Sequence, residues 1–346
     1  MLKKALIALI VLLLLYAGVT YYFSSLILHT PDRDIATVYQ MNRERWDLDL
    51  EALQRTLPPR EEVKITSQYD GTELKGWLFR PDTVRCGVVF AHGYSVNRAN
   101  MLKYAPIFDD CGCALLFYDH RGHGESAPEA YGSGGWHEAE DLMDANTFLR
   151  NQTGLTAGQI GWFGESWGGA TVLIAAARAR TDKPAWVVSE SAYADWTSAI
   201  MERGLKQYGN GLKALTPGAF TWVNLRADVV FDEVSPLALA PTIDVPTLLI
   251  HSTADTLTYP EQFDRLVAAF DPEVVTAHKL DWGAWHAHNV IWDRPAYTGL
   301  VRDFIGDFCG SPLPPPDSLP AYGRPPAPGY QISAAPPRTA TTPLTK

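Results

Sequence analysis

The sequence predicts an α/β protein built on a mostly parallel, doubly wound sheet. Two observations support that prediction: short, wholly apolar runs recur between residues 86 and 282, and stretches with a helical pattern lie between them. A strand that is apolar on both faces is typical of a parallel sheet covered by helices on both sides. Strands and helices that alternate along a chain indicate a doubly wound arrangement.

The chain begins with a charge-free segment from Ala5 to Leu28, preceded by Lys3 and Lys4. As a helix this segment would be about 36 Å long, which exceeds the hydrocarbon core of a bilayer, roughly 30 Å. The apolar part of a cleaved signal peptide has only about 7 to 15 residues. We therefore expect residues 1–30 to be a transmembrane anchor with the two lysines cytoplasmic and the rest of the chain outside. A cleaved signal segment, which would leave the protein secreted, is the alternative.

The folded domain is expected over residues 31–309, and it starts with a hairpin whose turn lies at Asp70-Gly71. Buried strands are then predicted at 86–93, 113–122, 159–164, 185–190, 246–251 and 277–282. Helices are predicted at 137–152, 170–180, 261–270 and 296–308.

Two segments depart from this alternation. Residues 193–240 separate two strands and are too long for a plain loop, so we expect a short cap insertion over the edge of the sheet where such folds bind ligands. Residues 310–346 are rich in proline and poor in large aliphatic side chains, which predicts a disordered tail. A proline-rich ligand for a partner domain is the alternative for the tail.

The charge balance argues against nucleic-acid binding. Lys and Arg number 29 against 39 Asp and Glu, for a formal net charge of -10, whereas nucleic-acid binding relies on basic residues that neutralise phosphates. The Cys-x-Cys at 111–113 is too sparse for a zinc site, because no partner pair exists.

The segment GESWGG at 164–169 holds Ser166 between Gly164 and Gly168, after a predicted strand and before a predicted helix. In that context Gly-x-Ser-x-Gly indicates a nucleophile elbow, a tight turn that exposes the serine oxygen above the sheet. We expect the two glycines to be required because a Cβ at either position would clash as the helix folds back on the strand.

A serine hydroxyl needs a base to become a nucleophile, and the elbow's chain order is serine, acid, histidine. Asp255 and His286 follow in that order, just past the predicted strands at 246–251 and 277–282. We therefore predict a triad in which Asp255 orients His286 and His286 takes the proton of Ser166. The backbone N–H groups of Tyr94 and Trp167 are the predicted oxyanion hole.

The segments HGYS at 92–95, YDHRGHGES at 118–126, GESWGG, PTLLIHSTAD at 246–255 and GAWHAH at 283–288 resemble the α/β-hydrolase superfamily. Membrane-anchored, serine-esterase-like members with a small cap are the most similar branch. The resemblance implies an eight-stranded sheet and cleavage of carboxylic esters through an acyl-enzyme on Ser166, without a cofactor. A peptidase or amidase using the same triad, and a catalytically inactive membrane-tethered binding protein, are the alternatives.

This sequence departs from the family pattern at two places. The strand before the acid usually ends in His-Gly, but here it ends in His251-Ser252. The catalytic histidine usually follows a small residue, whereas Trp285 precedes His286 here. His288, two residues on, is the competing base, and we expect it to lie in a supporting position or to be exposed.

The resemblance also bears on two groups outside the triad. The resemblance implies that Asp119, His120 and His123 in YDHRGHGES belong to a structural turn beside the pocket. A metal site formed by these residues is the alternative. The strands that begin at Cys86 and Cys113 are neighbours in the family's sheet order, so Cys86 is expected to pair with Cys113 or with Cys111. Free buried cysteines are the ordinary alternative.

Overall fold

Eight strands form a sheet in the computed structural model, which describes residues 1–31 and 33–310. They are β1 (Arg60–Thr66), β2 (Glu73–Phe79), β3 (Cys86–Ala91), β4 (Cys113–Tyr118), β5 (Ile160–Glu165), β6 (Val187–Glu190), β7 (Thr247–Ser252) and β8 (Val275–Leu280). Their order across the sheet is β1-β2-β4-β3-β5-β6-β7-β8. The first two strands pair in antiparallel fashion, β2 is antiparallel to β4, and all other pairs are parallel. The predicted fold class is confirmed.

The helices are α1 (Leu2–Leu28), α2 (Ile35–Trp46), α3 (Leu50–Thr56), α4 (Trp136–Thr153), α5 (Trp167–Arg178), α6 (Trp196–Tyr208), α7 (Thr216–Ala227), α8 (Pro236–Leu239), α9 (Pro260–Ala269), α10 (Asn289–Trp292) and α11 (Arg294–Ile305). The longest of the 3₁₀ segments covers Arg98–Phe108. The four helices predicted between the strands are present as α4, α5, α9 and α11. The sequence reading missed α2, α3 and the 3₁₀ segment.

The side chains of the central strands alternate between two apolar cores. In β3, Val89 packs on the face covered by α4 and α5, whereas Val88 and Phe90 pack on the face covered by α2, α11 and the 3₁₀ segment. Because both faces are covered, every residue of this strand is buried. That is the physical reason why the central strands appear in the sequence as continuous apolar runs. The predicted burial is wrong for β8, which lies at the edge of the sheet and has only its last residue buried.

The first hairpin turns where predicted. Ser67 donates from its backbone N–H to the carbonyl of Thr72 at 2.8 Å, and Gly71 has a φ of 80°. Glycine is suited to that left-handed conformation because it lacks a Cβ.

Residues 193–240, predicted as a cap, hold α6, α7 and α8, and we keep the name cap for them. Helix α1 is the only helix in the described ranges that is long and apolar enough to cross a membrane, a test that a signal sequence also passes. The predicted domain boundaries, after residue 30 and after residue 309, stay predictions. Residues 311–346, which make up almost all of the predicted tail, lie outside the described residues.

The cysteines form two disulfides. Cys86 and Cys113 face each other across the parallel pair β3 and β4, and they are joined with a Cα–Cα distance of 4.3 Å. This confirms the first of the two pairings expected for Cys86. The other bond joins Cys111 to Cys309, 198 residues away in the chain, and was not predicted.

Unreduced protein recovered from an oxidising compartment should therefore yield two cross-linked peptide pairs by mass spectrometry, Cys86–Cys113 and Cys111–Cys309. Each bond should stabilise the fold, and the second more strongly, because it closes the longer loop of the unfolded chain. Denaturant unfolding of the two double Cys→Ala variants compares them. Recovery of four alkylatable thiols from such protein would contradict the prediction.

Candidate active site

The nucleophile elbow lies where β5 ends and α5 begins. Ser166 has a φ of 53° and a ψ of -114°, a strained conformation of the kind found at functional sites. A Cβ on Gly164 would lie 2.1 Å from the carbonyl oxygen of Gly168, and one on Gly168 would lie 2.0 Å from that of Ala91. The backbone leaves no room for a side chain at either position.

The three residues of the predicted triad meet at one edge of the sheet. The Nε2 atom of His286 lies 2.6 Å from Oγ of Ser166, and its Nδ1 atom lies 2.7 Å from Oδ2 of Asp255. A carboxylate accepts hydrogen bonds, so Nδ1–H donates to Asp255, and Nε2 is left to accept the serine O–H. The arrangement is therefore suited to removing the proton of Ser166.

Asp255 is fixed by backbone contacts as well as by the histidine. It follows β7, is buried, and accepts hydrogen bonds from the backbone N–H groups of Leu257 and Thr258, both at 2.9 Å. Burial alone would raise the pKa of Asp255, but the charge and the hydrogen bond of His286 lower it below its ordinary value, helped by His251 and by the backbone hydrogen bond from Thr258. The carboxylate is therefore ionised and held in one orientation.

The pKa of His286 is shifted in the opposite direction. Burial alone would lower it, but the negative charge of Asp255 and their hydrogen bond raise it above the ordinary value. About an eighth of the side chain remains accessible, with a relative exposure of 12%. The imidazole is thus stabilised in its charged form, which a general base reaches once it has taken a proton.

His288 points away from the triad. Ala287, between the two histidines, has a φ of 54°, so the loop turns there and is not extended. The His288 ring packs against Trp46 of α2 at a centroid distance of 4.0 Å. Burial lowers the pKa of His288 well below its ordinary value, which keeps it neutral. The unusual Trp285 lies beside the same Trp46, so α2 accommodates the departure from the family pattern.

The loop after β3 passes directly beside the nucleophile. A Cβ on Gly93 would lie 3.3 Å from Cβ of Ser166. The Tyr94 ring, next in the chain, stacks on the Trp167 ring at 5.6 Å with an interplanar angle of 25°. Trp167 is also the first residue of α5. The two residues predicted to supply the oxyanion hole are therefore adjacent to each other and to Ser166.

A buried ion pair, which was not predicted from the sequence, connects the elbow to the histidine loop. Glu165, next to the nucleophile, lies 2.6 Å from Nζ of Lys103, and both side chains are almost fully buried. The same lysine donates to the carbonyl of Ala287 at 3.0 Å. One cation therefore positions both the residue before Ser166 and the residue after His286.

A second buried carboxylate extends this network. Glu190, at the end of β6, accepts hydrogen bonds from the hydroxyls of Tyr104 at 2.6 Å and Tyr297 at 2.7 Å, and from the side chain of Asn289 at 3.0 Å. Its backbone carbonyl accepts from the N–H of Ser166 at 2.7 Å. The last of these contacts holds the elbow backbone directly, and the other three fix the Glu190 side chain.

The side chains that the sequence offered as alternative metal ligands make ion pairs and hydrogen bonds within the protein. Asp119 forms an ion pair with Arg98, and it also accepts from the backbone N–H of Arg98 at 2.7 Å and of Glu125 at 2.9 Å. His120 Nε2 contacts the carbonyl of His92 at 3.1 Å. The described residues contain no cluster of three or more His, Cys, Asp or Glu able to hold a metal ion.

Comparison with known proteins places these features in a family. A family model described as serine aminopeptidase, S33, matches residues 82–235. The uncharacterized protein YqkD of Bacillus subtilis is 31% identical over 244 residues, which cover 70% of this chain and 78% of that protein. The thiohydrolase aneE of Aspergillus aculeatus is 34% identical over 116 residues, only 31% of this chain and 34% of that protein.

Solved structures show the same fold. The esterase Pf2001 of Pyrococcus furiosus matches with a TM-score of 0.58 at 21% identity, over 74% of this chain and 95% of that one. A puromycin-hydrolyzing peptidase of Mycobacterium tuberculosis matches with a TM-score of 0.55 at 20% identity, over 72% of this chain and 40% of that one. The sheet order, the matching family model and the relatives all show that the chain belongs to the α/β-hydrolase superfamily, and that it is a hydrolase.

Proposed function

We propose that this chain is a serine hydrolase that cleaves carboxylic esters through an acyl-enzyme on Ser166. The observation that carries the proposal is the continuous hydrogen-bonded series from Ser166 through His286 to Asp255, at 2.6 and 2.7 Å. In the first step Nε2 of His286 takes the serine proton while Oγ bonds to the ester carbonyl carbon. The imidazolium then gives that proton to the leaving alkoxide as the C–O bond breaks.

The second half of the reaction repeats these steps with water. His286 takes a proton from a water molecule, whose oxygen attacks the acyl carbon, and the proton returns to Oγ as the acid leaves. In both halves the carbonyl oxygen becomes negative, and the proposal assigns its stabilisation to the backbone N–H groups of Tyr94 and Trp167, aided by the N-terminus of α5. These steps need no cofactor.

Amide cleavage is the second candidate, and the family model's description as a serine aminopeptidase favours it. An aminopeptidase binds the free amine of its substrate, which calls for an available carboxylate close to the nucleophile. Glu165, which directly precedes the nucleophile in the chain, is already paired with Lys103. We therefore favour an ester substrate over a peptide.

We further propose that residues 1–30 anchor the protein in a membrane with the catalytic domain outside the cytoplasm. Lys3 and Lys4 at the N-terminus favour a cytoplasmic start. Two disulfides, Cys86–Cys113 and Cys111–Cys309, are suited to an oxidising compartment. Cysteine-accessibility labelling on either side of the membrane tests this orientation.

A fluorophosphonate probe tests the enzymatic proposal on the full chain in detergent. We expect the probe to label the protein and peptide mapping to place the adduct on Ser166, since the probe reacts with activated serines. A panel of nitrophenyl esters and aminoacyl anilides then separates the two candidate activities. An unlabelled, folded protein would overturn the hydrolase proposal in favour of a binding role, and faster anilide than ester cleavage would favour the amidase.

A further inference from the structure

We propose that the active site opens at the outer surface of the bilayer and hydrolyses the acyl ester of a membrane lipid. This inference rests on the proposed esterase function and on the anchor, and it names their substrate class. Its starting point is the packing of the anchor helix α1 against the cap helix α7.

The two helices run side by side in the same direction. The hydroxyl of Tyr16 donates to the carbonyl of Ala214 at 3.1 Å, and Nε1 of Trp222 donates to the carbonyl of Ala17 at 3.2 Å. Further along, Arg226 donates to the hydroxyls of Ser24 and Ser25, both at 2.7 Å. The last three turns of α1 are thus docked on the cap.

The free part of α1 is too short to cross a bilayer by itself. From Leu2 to Leu15 the helix extends for about 21 Å, at about 1.5 Å per residue, and its large apolar side chains are exposed throughout. The hydrocarbon core is roughly 30 Å thick. If α1 spans the membrane, the segment that begins at Tyr16 must also lie within it, and the tip of the cap around Ala214 is carried to the same depth.

Further along α1, near Tyr21 and Tyr22, the helix reaches a length of roughly 30 Å, and the exposed side chains of this region suit the boundary between hydrocarbon and headgroups. Tyr21 and Tyr22 of α1 and Tyr208 of the cap are all exposed. Lys206 and Lys213 on the cap are exposed as well. Exposed aromatic rings together with lysines are the side chains enriched at membrane interfaces.

The end of the anchor helix is connected to the nucleophile through Gly132 and Trp167. The carbonyl of Leu28, its last residue, accepts from the N–H of Gly132 at 3.0 Å. A Cβ on Gly132 would lie 3.1 Å from the ring of Trp167, the neighbour of Ser166. Arg33, just past α1, donates to the carbonyl of Ser95 at 2.7 Å, in the loop that follows Tyr94.

These contacts place the catalytic serine close to the plane where the helix leaves the bilayer. The ester groups of glycerolipids lie at that same plane, between the acyl chains and the headgroups. The reaction is the one already written: Oγ takes the acyl group, the lipid hydroxyl leaves with the proton, and water releases the fatty acid.

The depth of the cap is tested on full-length protein in vesicles. All four native cysteines are disulfide-bonded, so Lys213→Cys introduces a single free thiol at the tip, which is labelled with bimane. Thr147→Cys, on the exposed side of α4, is the matched control. We expect phospholipids with brominated acyl chains to quench the label at residue 213 and not at residue 147. Equal quenching at both positions would overturn the placement of the cap.

The substrate class is tested with two esters. Ala214→Glu puts a carboxylate at the tip, in the turn before α7, where a negative charge favours the helix and should not impair folding. We expect it to lower hydrolysis of a phospholipid ester in vesicles by at least about tenfold, because a carboxylate partitions poorly into the membrane boundary. It should leave a water-soluble nitrophenyl ester unaffected, and Thr147→Glu should change neither rate.

The outcomes separate the two proposals. Rapid cleavage of the soluble ester without cleavage of the vesicle ester, or equal loss of both rates in Ala214→Glu, would overturn the lipid inference alone. Failure of the wild type to cleave the soluble ester, together with no probe adduct on Ser166, would overturn the esterase proposal itself.

Discussion

Replacement of Ser166 by alanine is expected to lower ester hydrolysis by at least about a thousandfold while the fold stays intact. The Oγ atom is the one that bonds to the substrate carbonyl, and without it no acyl-enzyme forms. The side chain caps nothing in α5 and its hydroxyl contacts His286, so its removal takes no support from the elbow. Turnover of a nitrophenyl ester measures the loss, and thermal unfolding checks the fold.

A comparison with the wild type in a chelator completes this experiment. The proposed mechanism routes no step through a metal, so EDTA should leave the wild-type rate unchanged. A Ser166→Ala variant that keeps a tenth of the wild-type rate, or a wild type that EDTA inactivates, would contradict the serine mechanism.

The second large effect is expected at His286. The variant His286→Ala should nearly abolish turnover, since it removes both the base for Ser166 and the partner of Asp255. His288→Ala, two residues away, should keep a substantial fraction of the rate, because that ring packs on Trp46 and does not reach the serine. Steady-state kinetics on both variants test the assignment. An active His286→Ala beside an inactive His288→Ala would reverse it.

The pH dependence of the wild type follows from the same residue. Only neutral His286 can take the serine proton, so the rate falls as the pH drops below the pKa of His286. Because Asp255 raises that pKa above the ordinary histidine value, about 6.5, the midpoint of the fall should lie above it. Asp255→Asn should lower the midpoint. A rate that stays constant down to pH values well below that ordinary value would contradict the role of His286.

Much of this architecture was readable from the sequence because both faces of the sheet are covered. Continuous apolar runs identify the parallel strands, and the carboxyl ends of parallel strands share one edge, so Ser166, Asp255 and His286 were expected to meet there. The glycines of the elbow were predictable because the clash that they avoid is local: Gly164 meets Gly168, four residues on. Local steric requirements and the positions of strand ends can therefore be predicted from one sequence.

What the sequence did not reveal depends on contacts between distant segments. Lys103 lies in an otherwise mostly apolar stretch, and its partner Glu165 is 62 positions later. Nothing in the spacing of either residue indicates the other. The link between Cys111 and Cys309 is equally invisible, because their proximity depends on where α11 ends against the sheet. The turn at Ala287, which separates the two histidines, requires a positive φ, and an alanine in the sequence does not indicate one.

The docking of α1 on α7 has a consequence for biosynthesis. If α1 is the membrane anchor proposed above, it leaves the ribosome about 200 residues before the helix that covers it. The segment from Tyr16 to Leu28 then stays in the membrane without its partner helix while the rest of the chain is made. Once the domain has folded, Leu28 is buried and its carbonyl, in the peptide bond to His29, accepts a hydrogen bond from the N–H of Gly132. A processing protease would therefore have to act on the nascent chain. Pulse-chase labelling distinguishes the cases: an N-terminus trimmed late, after the disulfides have formed, would contradict this order of events.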